Sequence, residues 1–403
     1  MATFAKRSFD AAAYAAARPS YPPALFTHIR AHAGYAQSTQ PVTLLDLGCG
    51  PGVSTFDWIP LDHFRRIIGT DPSQGMVTAA RGILDDRRTK GEVPTGIDVR
   101  FEVARADNLA GVVDDNSVDL AVAGQAAHWF DAPATFRELA RVLKPGGAFA
   151  FWGYGEFFFP ERPELSALIP GYSAGTLGPY WEQPGRSIVE ALLTPIPFPV
   201  PAASSSSASD DALSSFDPSS FTRSFFLRPG DTVSVPSAFP PSPDPPLPTA
   251  PGASASYRLA PSALATSPAL AATTTLERTL LLRRQWTRDQ LAAYLRTWSA
   301  AHSFNAAHAA SSSSPSPAAS SASSTPQRTH AQAAASSVMK VREGEARQRG
   351  LGQRESDQGG DDVDCVATFL EQLERAGLKL GEGETVEVAW EMGVMMGRKK
   401  DMA

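Results

Sequence analysis

Cysteine is scarce: Cys49 and Cys365 are the only two in 403 residues, and neither stands in metal-ligand spacing. That excludes a disulfide framework and gives no sign of a zinc site or other metal centre. A chain with free thiols fits a reducing compartment, so a cytoplasmic location is expected. The N-terminal "MATFAKRSFDAAAYAAARPSYP" has the Ala and Arg content of a mitochondrial leader, the alternative, but Asp10 and the aromatic spacing argue against it. Long apolar runs are also missing. The longest candidate, "GGAFAFWGYGEFFF", falls short of the roughly 20 residues of a membrane helix and contains Glu156. Nor is there a stripe of Lys or Arg: the net charge is −6, and "DDRRTK" (85–90) balances its own charges. Neither a nucleic-acid nor a membrane partner is expected.

What is present is apolar enough to fold, with 42% hydrophobic residues, but unevenly distributed. Residues 196–275 are dominated by Pro, Ser and Ala ("PSAFPPSPDPPLPTAPGASAS"), and 309–360 runs from "SSSSPSPAASSASS" into charged residues. Such composition cannot bury enough apolar surface to offset the entropy of ordering it, so both are expected to be disordered insertions in loops. The remaining residues, about 270, make one elaborated domain. The expected plan is an N-terminal helical cap (1–40), a core (41–195), a strand/helix lid element (276–308), and a C-terminal helix with closing strands (361–403).

From position 42 short apolar runs alternate with helical patterns: "VTLLDLG" (42–48), "RIIGTD" (66–71), "DVRFEVA" (98–104), "VDLAVAGQ" (118–125) and "GAFAFWGYG" (147–155) read as strands. Between them, "PSQGMVTAARGILDD" and "DAPATFRELARVL" carry helical spacing. Strands alternating with helices give βαβ units and a mostly parallel sheet, the α/β class, in which ligands bind past the carboxyl ends of the strands. The residues just past those ends are Asp46–Gly52, Asp71, Asp107 and Gln125–Trp129.

"DLGCGPG" (46–52) is the sharpest motif. Gly48, Gly50 and Gly52 let the backbone turn tightly and approach a ligand. Their spacing is G-x-G-x-G rather than the G-x-G-x-x-G that seats a pyrophosphate on a helix N-terminus. Asp46 beside the loop suits an ammonium or sulfonium group better than a pyrophosphate. Asp71, about 20 residues on, is placed to accept hydrogen bonds from ribose hydroxyls. A plain tight turn and a helix-capping Asp71 are the structural alternatives.

Together, "LLDLGCGPGVST", "GTDPSQGMVTAAR", "FEVARADNL", "VDLAVAGQAAHWFD" and "RELARVLKPGGAFAFW" resemble the class I S-adenosylmethionine-dependent methyltransferases of the small-molecule, type-11 group. "YAAARPSYP" (14–22), "YWEQPGRSIVEALL" (180–193) and "LAAYLRTWSAAHSF" (291–304) narrow the similarity to the fungal trans-aconitate methyltransferase-like proteins. The resemblance covers about 1–195, 276–305 and 363–400. It implies a Rossmann-like fold with a seven-stranded sheet, helices on both faces, a C-terminal antiparallel hairpin, and S-adenosylmethionine as cofactor. By the same resemblance Asp46, Gly48, Gly50 and Gly52 cradle the methionine part and Asp71 takes the ribose. Pro72 or Met76 pads the adenine, and Asp107, with Asn108 beside it, accepts the adenine amino group. Gln125 and Ala126 line the floor near the sulfonium, and Tyr14 and Arg18 belong to a segment folding over the cofactor.

Methyl transfer is a displacement in line with the departing sulfur, served mainly by alignment and exclusion of water. A base is needed only for a nucleophile protonated at working pH. The narrower resemblance implies O-methylation of a small carboxylic acid of the trans-aconitate kind. Arg186 leads as the residue to hold that carboxylate and Arg18 follows, a surface position being the alternative for each. Trp129, Tyr154 and Trp181 are acceptor-pocket candidates, as are Tyr180 and Trp298, with core packing the alternative. His128 and Trp129 are read as positioning residues rather than a catalytic base. A phenol, amine or lipid-like acceptor, or a non-catalytic cofactor-binding protein, are the competing functions. "TVEVAWEM" and "VMMGRKK" are expected to form the terminal hairpin, and "LERTLLLRRQWT" (276–287) either a strand or part of the lid.

Overall fold

The computed structural model describes residues 10–34, 42–61, 64–200, 212–228, 274–277, 282–312 and 364–401. Met1–Asn305 and Asp364–Ala403 form one compact unit; of the other, Ala306–Val363, only 306–312 are described.

The apolar runs form the expected parallel strands: β1 (Val42–Leu47), β2 (Phe64–Asp71), β3 (Asp98–Val103), β4 (Val118–Gly124) and β5 (Leu143–Phe158). They pair in the order β3-β2-β1-β4-β5, so the chain reverses direction across the sheet at β1 and β4. That is the switch point at which such sheets open a crevice. Both faces are covered. In β1, Leu44 packs into one apolar layer, and Leu45 and Leu47 into the other. In β5, Ala148, Ala150, Trp152 and Tyr154 face the first layer while Phe149 and Phe151 face the second. Alternation of this kind is what a strand buried on both sides requires.

Helices fill these layers. α1 (Ala11–Ala17), capped by Asp10, and α2 (Pro23–Ala33), with a proline in its first turn, form the N-terminal cap. α3 (Val53–Trp58) follows the Gly-rich loop, and α4 (Gln74–Thr89) starts at Ser73, whose hydroxyl accepts from Met76 N. α5 (Ala132–Val142) is capped by Asp131. After β5 come the short α6 (Pro163–Ser166), a π-helical turn (Gly171–Thr176) and α7 (Gly185–Glu190). No helix among the described residues is long and apolar enough to cross a membrane.

Three expectations need correction. The segment 196–275, expected to be disordered throughout, contains β6 (Phe216–Phe226), and β7 (Thr274–Glu277) lies at its far edge. Averaging over Pro, Ser and Ala concealed a local apolar string in which Phe216, Phe221, Phe225 and Phe226 are all buried. Among the described residues the sheet therefore has nine strands rather than seven, continuing β5-β9-β6-β7, with β8 (Leu282–Trp286) also pairing β9. The terminal hairpin is instead one strand, β9 (Val386–Lys399), antiparallel to β5, β6 and β8. Gly393, where a turn was expected, is extended; a Cβ there would collide with the Leu192 carbonyl. It is glycine for close approach, not for turning. β8 also settles 282–286 as strand. α8 (Arg288–Arg296), α9 (Ser299–Ser312) and α10 (Cys365–Arg375) complete the fold. α9 runs four residues into the expected 309–360 insertion, whose remainder lies outside the described residues, as do 1–9, 35–41 and most of 201–273.

Candidate active site

The loop after β1 is a run of left-handed turns, with φ of +64° at Gly48, +55° at Gly50 and +92° at Gly52. The three glycines do different work. A Cβ on Gly48 would lie 2.6 Å from the Ala126 Cβ, and one on Gly52 2.6 Å from the Phe56 ring. One on Gly50 would meet nothing within 4 Å. Gly48 and Gly52 therefore serve packing, and Gly50 is the open rim. Asp46, fully buried behind the loop, accepts hydrogen bonds on Oδ2 from Ser54 Oγ (2.8 Å) and Thr55 Oγ1 (2.6 Å). Its Oδ1 is buried with no partner. Burial pushes its carboxyl up to about 6 despite the two hydroxyl bonds. Asp71, at the end of β2, does not cap α4; its Oδ2 accepts from Gly50 N (3.0 Å) and its Oδ1 from Ser73 N (2.8 Å). It ties the loop to β2.

In front of the loop is a cavity of about 430 Å³ lined by Gly48, Cys49, Gly50, Ser54, Gln125 and Tyr21 among others. Beside it opens a cleft of about 640 Å³ walled by Trp129, Trp181, Trp298 and Tyr294. Tyr14, Arg18, Gln125 and Tyr154 line both. Gln125, just past β4, holds a left-handed φ of +55°. Its amide exchanges hydrogen bonds with the Tyr154 backbone, Nε2 to O and N to Oε1, each 2.9 Å. A strained residue fixed on both sides marks a site whose geometry is held rigid.

Arg18 is the central charge of this seam. Nη1 donates to the Tyr154 hydroxyl (3.1 Å) and Nη2 to the Thr297 carbonyl (3.3 Å), and the guanidinium lies over the Tyr14 and Tyr294 rings. Nε is buried without a partner. No carboxylate of the described residues forms an ion pair with it. Arg186, the leading carboxylate-holding candidate, lines the cleft in a different condition. Its Nε donates to Glu190 (2.6 Å) and its Nη2 to Glu156 (2.7 Å), while its face covers Trp181 at 4.2 Å. Two carboxylates already neutralise it, so the ranking of the two arginines is reversed. His128 lines the cleft next to Trp129, ring centroids 4.9 Å apart, with Nδ1 buried and unpartnered. Burial, helped by Arg18, pushes its imidazole down to about 3, so it is neutral across the physiological range and a poor base.

Other expected residues stand elsewhere. Asp107 is not in either cavity lining; Arg105 donates to both its oxygens (2.8 and 2.7 Å), holding its carboxyl below the usual range. Asn108 makes a turn contact with Ala110 N, Pro72 is exposed and Met76 is buried in the first turn of α4, all outside the two linings. Ala126 is buried against Gly48. Tyr180 packs on Phe304 rather than in the cleft. Sequence reasoning missed Tyr294, Glu156 and Thr297, whose roles arise from contacts between distant elements with no local motif.

Residues 45–151 match the family model described as a methyltransferase domain. This region is a class I S-adenosylmethionine-dependent methyltransferase domain of the type-11 group. The Saccharomyces cerevisiae protein named as a probable S-adenosylmethionine-dependent methyltransferase, CRG1, is 31% identical over 190 residues, 46% of this chain and 60% of its own length. A methyltransferase-named protein of Dictyostelium discoideum is 26% identical over 173 residues, 43% of this chain and 58% of its own. The chain thus spans about six-tenths of the curated relatives it matches. A solved methyltransferase structure from Anaeromyxobacter dehalogenans aligns over 96% of this chain and 99% of its own, at 20% identity and a TM-score of 0.48.

The residues of the methyltransferase domain fit its cofactor. S-adenosylmethionine brings a cationic sulfonium and ammonium, for which the orphaned Asp46 Oδ1 supplies negative charge behind the loop, and Gly50 leaves the rim free for close approach. Tyr14, Gly48, Gly50 and Gln125 would hold it against the sheet edge, with Arg18 at the seam toward the cleft.

Proposed function

We propose that this chain O-methylates a small carboxylic acid, with the acceptor carboxylate seated at Arg18. The observation that carries the reading is the condition of that arginine: a half-buried cation whose Nε is buried and unpartnered, at the seam between the loop cavity and the aromatic cleft. A partly desolvated guanidinium without a counter-charge is unfavourable unless a ligand completes it, and a planar carboxylate matches its remaining donors.

S-adenosylmethionine supplies a methyl group already activated on sulfur. With it bound, the acceptor oxygen would take the methyl in line with the departing sulfur, which would keep the electron pair of the broken S–CH₃ bond. A carboxylate acceptor has no proton to lose, consistent with a neutral His128 that offers little basicity. The chain's own contribution is to orient: Gln125 fixes the floor, Tyr154 and Thr297 aim the guanidinium, and the aromatic walls keep water from the reacting oxygen.

The test is transfer of radiolabelled methyl from S-adenosylmethionine to a panel of carboxylic acids and phenols. Base-labile label on an acid is expected. Label confined to phenols or amines, or cofactor binding with no transfer at all, overturns the reading.

A further inference from the structure

We infer that the acceptor is a monocarboxylic acid with a flat, largely apolar body, and that Glu156 enforces the single charge by neutralising Arg186. The inference rests on the carboxylate reading above and gives it a substrate class. Among the described residues two arginines line the cleft, Arg18 and Arg186, together with two carboxylates, Glu156 and Glu182. Arg186 is further bonded to Glu190, behind the lining. His128, pushed down to about 3, adds no charge. Among the described residues Arg18 is therefore the one cation lining the cleft that no side-chain carboxylate pairs. A second or third carboxylate on the acceptor would leave water to face Glu156 and Glu182, where like charge and desolvation both oppose it. This departs from the trans-aconitate type of acid, which carries three.

The rest of the cleft specifies the body. Trp181 and Trp298 stand 5.4 Å apart, tilted by 47°, and Trp129 is 40% exposed at the cleft, one of two large exposed hydrophobic side chains among the described residues. Aromatic walls of this kind, with the Trp129 ring the exposed member, gain most from a flat unsaturated partner. Trp181 is braced. Trp181 Nε1 donates to the Ser173 carbonyl (2.8 Å), and the Arg186 guanidinium covers the Trp181 face. Glu156 thus does two things: it compensates Arg186 and, through it, holds the wall.

The experiment compares methyl transfer by the full chain, with S-adenosylmethionine, to trans-cinnamate, hexanoate and trans-aconitate. The expected order of kcat/KM is cinnamate first and trans-aconitate last. Glu156→Gln removes one compensating charge and is expected to raise the trans-aconitate to cinnamate ratio about tenfold, through KM for the polyacid. Trans-aconitate preferred by the wild type, or an unchanged ratio in a folded Glu156→Gln, overturns this inference and leaves the carboxylate reading standing. Failure of every acid while the cofactor binds overturns both.

Discussion

The Arg18 guanidinium, from the C-terminal end of α1, donates at 3.1 Å to the hydroxyl of Tyr154 in β5, 136 residues away in sequence. That bond brings the cap onto the sheet and leaves a half-buried cation facing the cleft. Arg18→Met is expected to lower kcat/KM for an acid about 10- to 100-fold, the worth of a hydrogen bond to a charged group. The thermal midpoint should hold or rise, because replacing an incompletely paired buried charge with an apolar side chain is often neutral or stabilising. Steady-state kinetics and thermal melts on the same samples separate the two. A large loss of stability would instead make Arg18 a structural strut.

Asp46 predicts a pH dependence of cofactor affinity. Its carboxyl sits near 6 in the folded chain against an ordinary 3.8. The folded state holds that proton more tightly than the unfolded one, so this group's stabilising effect is present at low pH. It is lost as pH rises through about 6, a change of about 3 kcal/mol. A cationic cofactor favours the ionised form, so its Kd should fall between pH 5 and 7. Binding at pH 6 should release protons, measurable by calorimetry in two buffers that titrate near pH 6 and differ in ionisation enthalpy, phosphate against Bis-Tris. Asp46→Asn should flatten the dependence; a pH-independent Kd in the wild type contradicts the role.

The glycines separate stability from binding. Gly50→Ala adds a Cβ into open space at φ +55°, costing about 1–2 kcal/mol of backbone strain while crowding the cavity. Gly48→Ala adds the 2.6 Å overlap with Ala126 to the same strain. The expected result is that Gly50→Ala loses more cofactor affinity than stability, and Gly48→Ala the greater share of both. Equal melting temperatures for the two variants would argue against the different surroundings assigned to them.

The parallel strands and the Gly-rich loop were legible in sequence because each is a local pattern: apolar runs of strand length, and glycines at fixed offsets beside an acid. The bonds of Ser54 and Thr55 to Asp46 were not read from the sequence, although both residues lie in the same short stretch. β6 was not legible, because four phenylalanines were diluted in a long Pro/Ser/Ala window. The neutralised state of Arg186 could not be read either. Its partner Glu156 lies 30 residues away on another element, and charge pairing across elements leaves no periodic trace. The turn expected at Gly393 failed for a related reason: a glycine that admits a neighbouring carbonyl looks in sequence like one that bends the chain.

His128 tests the absence of a base. With its imidazole near 3, no titration of this side chain is expected between pH 5 and 8, and kcat with an acid should be flat over that range. His128→Ala should act through KM, by loosening the ring packed on Trp129. An inflection near pH 6–7 in the wild type that vanishes in the variant would restore proton transfer to the mechanism.

The most direct test of a carboxylate acceptor is a matched pair: trans-cinnamate against trans-cinnamyl alcohol, which share a body and differ in whether the oxygen is already ionised. Radiolabel from S-adenosylmethionine should appear as base-labile ester from the acid, with little ether from the alcohol, and Arg18→Met should abolish the preference. Faster methylation of the alcohol, or a preference for the acid that survives Arg18→Met, would contradict the seating of a carboxylate at Arg18.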